Sequence, residues 1–437
     1  MNRFAACMPL VAVACIAGTV LGRQDPAPAT VPTQPAERPA PVVIHETATV
    51  ASPLPTVAPA FGNVLGFSGD DLIVSGAVIS RSGGADGQVA TFVPQSDGTW
   101  KAGFEMPQVS GLRPGDFTLQ RLGLNADTLV TPITRKTGSS ELAWFARTDT
   151  PQVWRQMGFL QGPPGERRMN FGGAIAMHGQ LLAVSEVSVR PNMQEADHLR
   201  NPKVYVFERT ADGWKAGGTV ERDPSRKPWW FGASLALDGD RLAVGYPTLL
   251  KPFRAEQNFA SLESPMVCVY RREGGAWTLE QEIQSRGISP FLGFGHRVAL
   301  RGDLMAVQSI HPLEEGVEVV VLRRVDGTWK PDGLLRPGAG VKTGRGFGMA
   351  LEISGARVIV GDVSAVEGDD ESGRVFVFER QADGWVEAAR LAPKAACGPR
   401  SFGTALAVRG PWLAVGQVRN ENAGVEPGGA YLFRLDE

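Results

Sequence analysis

The stretch FGASLALDGDRLAVGYP, Phe231–Pro247, decides the architecture, because the chain writes it seven times. Aligned on the opening aromatic, the copies begin at Phe61, Phe117, Phe171, Phe231, Phe294, Phe347 and Phe402, with gaps of 56, 54, 60, 63, 53 and 55 residues. Six of the seven open with Phe-Gly, and Phe117-Thr118 is the exception. In six copies an apolar run starts eleven residues after the Phe, as at Leu72, Leu242 and Leu413; in the second it starts twelve after, at Leu129. A fixed period of this size marks a repeat architecture.

Within each copy the apolar pattern has period two, the strand signal. After Phe-Gly, large residues occupy one alternation (Leu235/Leu237, Leu351/Ile353, Leu406/Val408) and mostly small ones the other (Ser234/Ala236, Ala350, Ala405/Ala407). That arrangement suits a strand covered on both faces at a crowded axis. A tight Gly-containing turn follows, such as Asp238-Gly239-Asp240, and then the Leu-Ala-Val strand. After a variable loop comes a third strand, for example Val267–Tyr270. A second hairpin opens a fourth strand at Trp100, Trp154, Trp214, Trp277, Trp329 or Trp385.

Four short antiparallel strands repeated seven times predict an all-β fold, a seven-bladed β-propeller. The seventh copy stops after its third strand. In five of the other six, the Trp precedes the next Phe by 17 residues, and 17 back from Phe61 lies Ile44. Val42–Val50 is strand-like, so the N-terminal segment is expected to supply the missing outer strand and close the ring.

The pattern Phe-Gly-x-Ser/Ala-Leu/Val-Ala-Leu, then Asp-x-Leu-Ala-Val-Gly-x-Pro, then Val-x-Val-Phe and Trp, resembles the FG-GAP repeat of integrin α-chain propellers and many exported bacterial proteins. The resemblance covers Phe61 to the end. It implies an extracytoplasmic adhesion or ligand-binding protein without catalysis. The calcium-binding blades of that family carry an Asp-x-Asp-x-Asp-Gly loop between their first two strands. Here each corresponding turn is two or three residues with at most two carboxylates. Calcium takes six to eight oxygens, so neither a metal nor a cofactor is expected.

Residues 1–22 read as a secretory signal: Arg3, an apolar stretch from Phe4 to Leu21, and a small-residue site near Gly22. Pro9 interrupts the apolar stretch, which disfavours a retained anchor. Residues 23–42 hold six prolines and read as a semi-rigid spacer, leaving 43–437 for the propeller. The expected location is periplasmic, cell-surface or secreted, with no membrane span in the mature chain and a monomeric state. A net charge of −2 and the lack of a Lys/Arg-rich run offer no footprint for nucleic acid. Cys268 and Cys397 belong to different repeats, so no disulfide is expected between them.

No residue set demands catalysis. The five histidines are scattered. Ser96-Asp97-Gly98-Thr99-Trp100 is similar to the Asp-box hairpin of sialidases, but Asp-Gly before Trp also serves an ordinary hairpin. His296, Arg297 and Glu352 break the inner-strand pattern and are expected to line a central channel. Glu367, Asp369, Asp370 and Glu371 form an acidic run in the sixth blade, read as a solvated loop. The strongest pointer is loop length, since the two longest loops, Ser185–Pro202 and Tyr246–Pro265, fall in neighbouring blades on one face. Beside them lie Arg226, Lys227, Trp229 and Trp230, then Lys251, Phe253 and Arg254. Aromatic surface beside fixed positive charge suits a protein or glycan ligand, although a Trp here could instead plug a blade junction. The alternative is a carbohydrate-active propeller enzyme, hydrolase or lyase, which needs convergent carboxylates at the channel.

Overall fold

The computed structural model describes residues 41–52, 61–79, 85–105, 109–111, 117–118, 121–136, 139–148, 153–162, 171–186, 202–223, 230–247, 264–286, 288–289, 293–310, 317–394, 401–418 and 428–435. It is a seven-bladed β-propeller, with strands and no helix among these residues. Blade four is representative: Ser234–Asp238, Arg241–Tyr246, Met266–Glu273 and Ala276–Gln284 lie side by side in chain order. Its first hairpin pairs Asp238 with Arg241 across two residues, and Gly239 at φ 59° fits the first position of a type II′ turn.

The core is a ring of seven clusters, one between each pair of neighbouring blades. Leu235 and Leu237 pack toward blade three, whereas Ala236 packs toward blade five. The large/small alternation is therefore two buried faces of one strand. The repeated Phe is the anchor: Phe61, Phe171, Phe231, Phe294, Phe347 and Phe402 are all fully buried.

The Gly after it has a defined task. Gly62 turns at φ 95°, and its N–H meets the Ser75 carbonyl at 3.2 Å. Its own carbonyl presses on Gly416 of blade seven so closely that any Cβ on Gly416 would collide with it. Blade two has Thr118 at this position, where positive φ is disfavoured for a β-branched residue. There Phe117–Thr118 instead pairs with Ile133 and Thr134, and the inner strand shrinks to Gly123–Leu124.

The N-terminal segment closes the ring, as expected, but as two strands. Ala48–Ala51 pairs antiparallel with Gly429–Arg434 and completes blade seven. Val42–Ile44 pairs in parallel with Gly384–Leu391 as a fifth strand of blade six. Ile44 thus belongs to blade six, not to the closing strand. The crossing is pinned by Thr47 N–H to the Leu432 carbonyl at 2.8 Å and by Lys394 N–H to Glu46 Oε2 at 2.9 Å.

In blades four and five the extra residue at the outer-strand bulge is a carboxylate that latches neighbouring blades together. The ladder of blade four skips Glu280, which accepts from Arg241 (3.1 Å) of its own blade and Arg324 (3.0 Å) of blade five. Blade five skips Asp332, which meets Arg323, Arg380 of blade six and the Trp385 indole N–H at 3.0 Å.

Candidate functional site

Every inner strand runs from the loop face to the hairpin face, so the central channel has two chemically different ends. His296 and Arg297 stand where the inner strand Arg297–Arg301 begins, at the loop face. His296 Nδ1 lies 2.8 Å from Gln308 Oε1, while Gln308 Nε2 donates to the Phe347 carbonyl at 2.7 Å. That chain of donors places the imidazole proton on Nδ1. Burial, reinforced by the charge of Arg297, pushes His296 down to about 4, so it is neutral at physiological pH. Arg297 Nη1 donates to the His296 carbonyl at 3.0 Å.

Glu352 lies on the inner strand Ala350–Ser354 and faces the hairpin end. A cavity of about 670 Å³ opens there, with His178, Arg301, Glu352 and Arg409 among its lining residues. Glu352 is enclosed by the inner strands yet still reached by water. This enclosure raises it to about 7, against the opposing pull of Arg301. Glu352 lines the cavity, whereas His296 and Arg297 stand at the opposite end of the inner strands and are not among its lining residues, so the structure does not bring the three together.

Asp238 also borders the channel wall. It is occupied, accepting the Gly302 N–H at 2.7 Å and meeting His178 Nδ1 at 3.2 Å.

Of the loop-face candidates, Arg226, Lys227, Trp229, Lys251, Phe253 and Arg254 lie outside the described residues. Trp230 is described. It is half-buried, packs against the core cluster between blades three and four, and its carbonyl accepts the Ala233 N–H at 3.0 Å. The roots of both long loops are also described, and they are braced. Tyr205 hydroxyl donates to Glu186 Oε2 at 3.0 Å, and Lys203 meets Glu221 at 2.7 Å. Arg222, almost fully buried, lies 2.7 Å from Glu282 and 5.4 Å from the Tyr246 ring centroid. No sequence periodicity marks Arg222, because it falls in a connection between blades.

Two sequence motifs acquire structural explanations. Asp97 Oδ1 accepts from Thr99 N–H (2.9 Å) and hydroxyl (2.6 Å), bonds that hold the carboxyl below its ordinary range and cap the hairpin. The acidic run is not simply a solvated loop. Glu367 pairs with Arg374 and Arg390, and Asp370 with Arg374 at 2.9 Å. Despite the opposing effect of burial, both carboxyls stay below their ordinary values, Glu367 through Arg374 and Arg390, and Asp370 first through the Ser372 hydroxyl and N–H and then through Arg374. Glu387 completes the network at 2.8 Å from Arg390. Among the described residues, no three His, Cys, Asp or Glu side chains are grouped to hold a metal ion. Cys268 is buried and in no disulfide, with Arg222 Nη1 3.2 Å from its sulfur; Cys397 lies outside the described residues.

The chain is a β-propeller whose neighbouring blades three and four bear its two longest loops on one face. No family model matches the sequence, and no curated protein matches it. Solved structures are similar to it only at low identity. A Lactobacillus plantarum protein is 12% identical over 77% of this chain and 86% of its own, with a TM-score of 0.44. The Pyrococcus horikoshii acylaminoacyl peptidase is 10% identical over 87% of this chain and 52% of its own, with a TM-score of 0.48. Likeness at this level carries no argument about activity.

Proposed function

We propose that this protein is an exported, non-catalytic binding propeller of the FG-GAP type, engaging an acidic glycan or a carboxylate-bearing protein segment through the loop face of blades three and four. The observation that carries the reading is the pair of long loops on adjacent blades, rooted in braced strands: Glu186 with Tyr205, Lys203 with Glu221, Arg222 with Glu282. Packing gives no reason to lengthen loops on one side of one arc, and variable loops on a rigid scaffold are where recognition concentrates. The loop sequences combine Trp229 and Phe253 with Arg226, Lys227, Lys251 and Arg254, flat aromatic surface beside positive charge.

A hydrolase or lyase is less well supported. Two-carboxylate chemistry needs a facing pair. Among the described channel-wall residues Asp238 is already bonded, leaving Glu352 without a free second carboxylate beside it.

The test is a glycan array and a pull-down, followed by two double variants assayed against the partner returned. Trp229→Ala with Arg254→Ala should abolish binding while circular dichroism stays wild-type. Asp212→Ala with Asp383→Ala, on the opposite face, should leave it intact. The reverse outcome would place the site on the hairpin side and end this reading. Affinity should also fall from low to physiological ionic strength.

A further inference from the structure

We propose that the cavity at the hairpin end of the central channel binds a short zwitterionic peptide, its ammonium group at Glu352 and its terminal carboxylate at Arg301. This site is independent of the loop-face reading, because it lies at the other end of the channel.

A collar of contacts between first-hairpin turns edges that cavity, and it has an opening. The Ser68 hydroxyl donates to the Ala126 carbonyl at 2.6 Å and ties blade one to blade two. Asn125 Nδ2 donates to the Gly179 carbonyl at 2.8 Å and ties two to three. His178 Nδ1 lies 3.2 Å from Asp238 Oδ1, and Asp238 Oδ2 accepts the Gly302 N–H at 2.7 Å, which carries the collar on to blade five. Arg409, 3.7 Å from Asp70, joins seven to one. Among the described residues no such contact ties the turn of blade six to that of blade five or blade seven. The opening therefore falls on the blade that bears Glu352.

Glu352 and Arg301 both line this cavity of about 670 Å³ and a smaller adjoining one of about 290 Å³. Among the described residues, the Glu352 carboxylate makes no hydrogen bond or ion pair with another side chain. The Ile353 N–H and the charge of Arg301 favour its ionised form, and enclosure outweighs both. Arg301, exposed at the rim, likewise has no ion-pair partner among the described residues. The two opposite charges share one space without meeting. Glu352 stands two residues before the end of its inner strand and Arg301 at the end of its own, so their levels along the channel differ by about 7 Å. Two residues of extended peptide span about 7 Å. An ammonium group has three donors for the lone carboxylate, and the guanidinium fork matches a carboxylate. Leu65, Phe67, Leu124 and Met177 supply apolar wall for the side chains. A metal ion is poorly served, because no three acidic, His or Cys side chains converge among the described residues. The volume lies within the range of small-molecule sites, about 300–1,000 Å³.

The experiment titrates the full chain with leucyl-leucine by calorimetry at pH 7.5. One peptide is expected to bind per chain. Three relatives each remove one feature: N-acetyl-leucyl-leucine lacks the ammonium group, leucyl-leucinamide lacks the carboxylate, and leucine is too short to reach both charges. Each should bind at least about tenfold more weakly. Glu352→Gln and Arg301→Gln should each weaken leucyl-leucine by a similar factor and flatten its preference over the acetylated or amidated form respectively. Lys330→Gln, exposed on the outer strand of blade five, should change nothing. Circular dichroism checks the fold of each variant; should one fail to fold, the peptide series on the wild-type protein decides alone. No binding of leucyl-leucine, equal binding of the acetylated or amidated peptide or of leucine, or folded glutamine variants that bind like wild type would each overturn the site.

Discussion

Removing the N-terminal closure tests the fold at its most consequential joint. Two deletions separate its parts: residues 41–45, which take only the parallel fifth strand of blade six, and residues 41–52, which also take the outer strand of blade seven. The second loses a ladder from Ala48↔Leu432 to Ala51↔Gly429, flanked by Thr47 N–H to Leu432 at 2.8 Å and Ser52 N–H to Gly428 at 3.1 Å. About five backbone bonds at ~1 kcal/mol net each contribute about 5 kcal/mol. Val50, 6% exposed in the cluster joining blades seven and one, adds about 2 kcal/mol. A loss of about 7 kcal/mol is comparable to the whole stability of many domains, about 5–15 kcal/mol. At about 2 °C per kcal/mol, the melting temperature should fall by more than 10 °C. Val42 and Val43 are exposed, so the shorter deletion should cost only a few degrees. The assay is thermal unfolding followed by circular dichroism, with size exclusion to detect association through the unpaired edge of blade seven. Equal melting temperatures for the two deletions would refute this account of closure.

Asp362 is fully buried and raised to about 6 by that burial, with one carboxylate oxygen unbonded. Because its folded pKa exceeds its unfolded one, its contribution is fully present below about pH 4 and is lost as pH rises through 6. Asp362→Asn should therefore raise the melting temperature at pH 8 and make no difference near pH 3.5, as read from paired melts across pH. Arg390→Ala leaves Glu387 and Glu367 facing each other without their shared cation, and denaturant titration should show a loss of about 3–5 kcal/mol. Asp332→Ala strips Arg323, Arg380 and the Trp385 indole of their acceptor, and the same titration should show about 1–3 kcal/mol lost. Melts with and without a calcium chelator should superimpose, since the hairpin turns are too short to supply six oxygens; a drop of several degrees would contradict that expectation.

The blade count, the strand order and the ring closure were legible because a repeat multiplies a weak signal. The buried Phe and the turning Gly recur in six copies, and each reports one physical constraint. The failures of legibility are equally local. The division of the N-terminal segment at His45–Thr47 was hidden because the parallel pairing of Val42–Ile44 with blade six carries no turn or periodic residue of its own. The reduced inner strand of blade two was announced by Thr118 in place of Gly, but the new partners of Phe117–Thr118, at Ala85 of blade one and at Ile133 and Thr134 of its own blade, follow no repeated pattern. Nothing in the repeat pattern distinguishes Glu280 and Asp332 from other polar residues of an outer strand. Only the bulge, which alternation cannot show, turns them toward the next blade.

The candidate site was legible in proportion to how far each residue departs from the repeat. His296, Arg297 and Glu352 stand out because an inner strand otherwise holds small or apolar residues. Arg222 escaped notice for the opposite reason. It falls in a connection between blades, so alignment on the Phe offers no strand position at which it looks foreign. Its partner Glu282 lies 60 residues later on the outer strand of the next blade, a relation set by the stacking of blade on blade rather than by any local pattern.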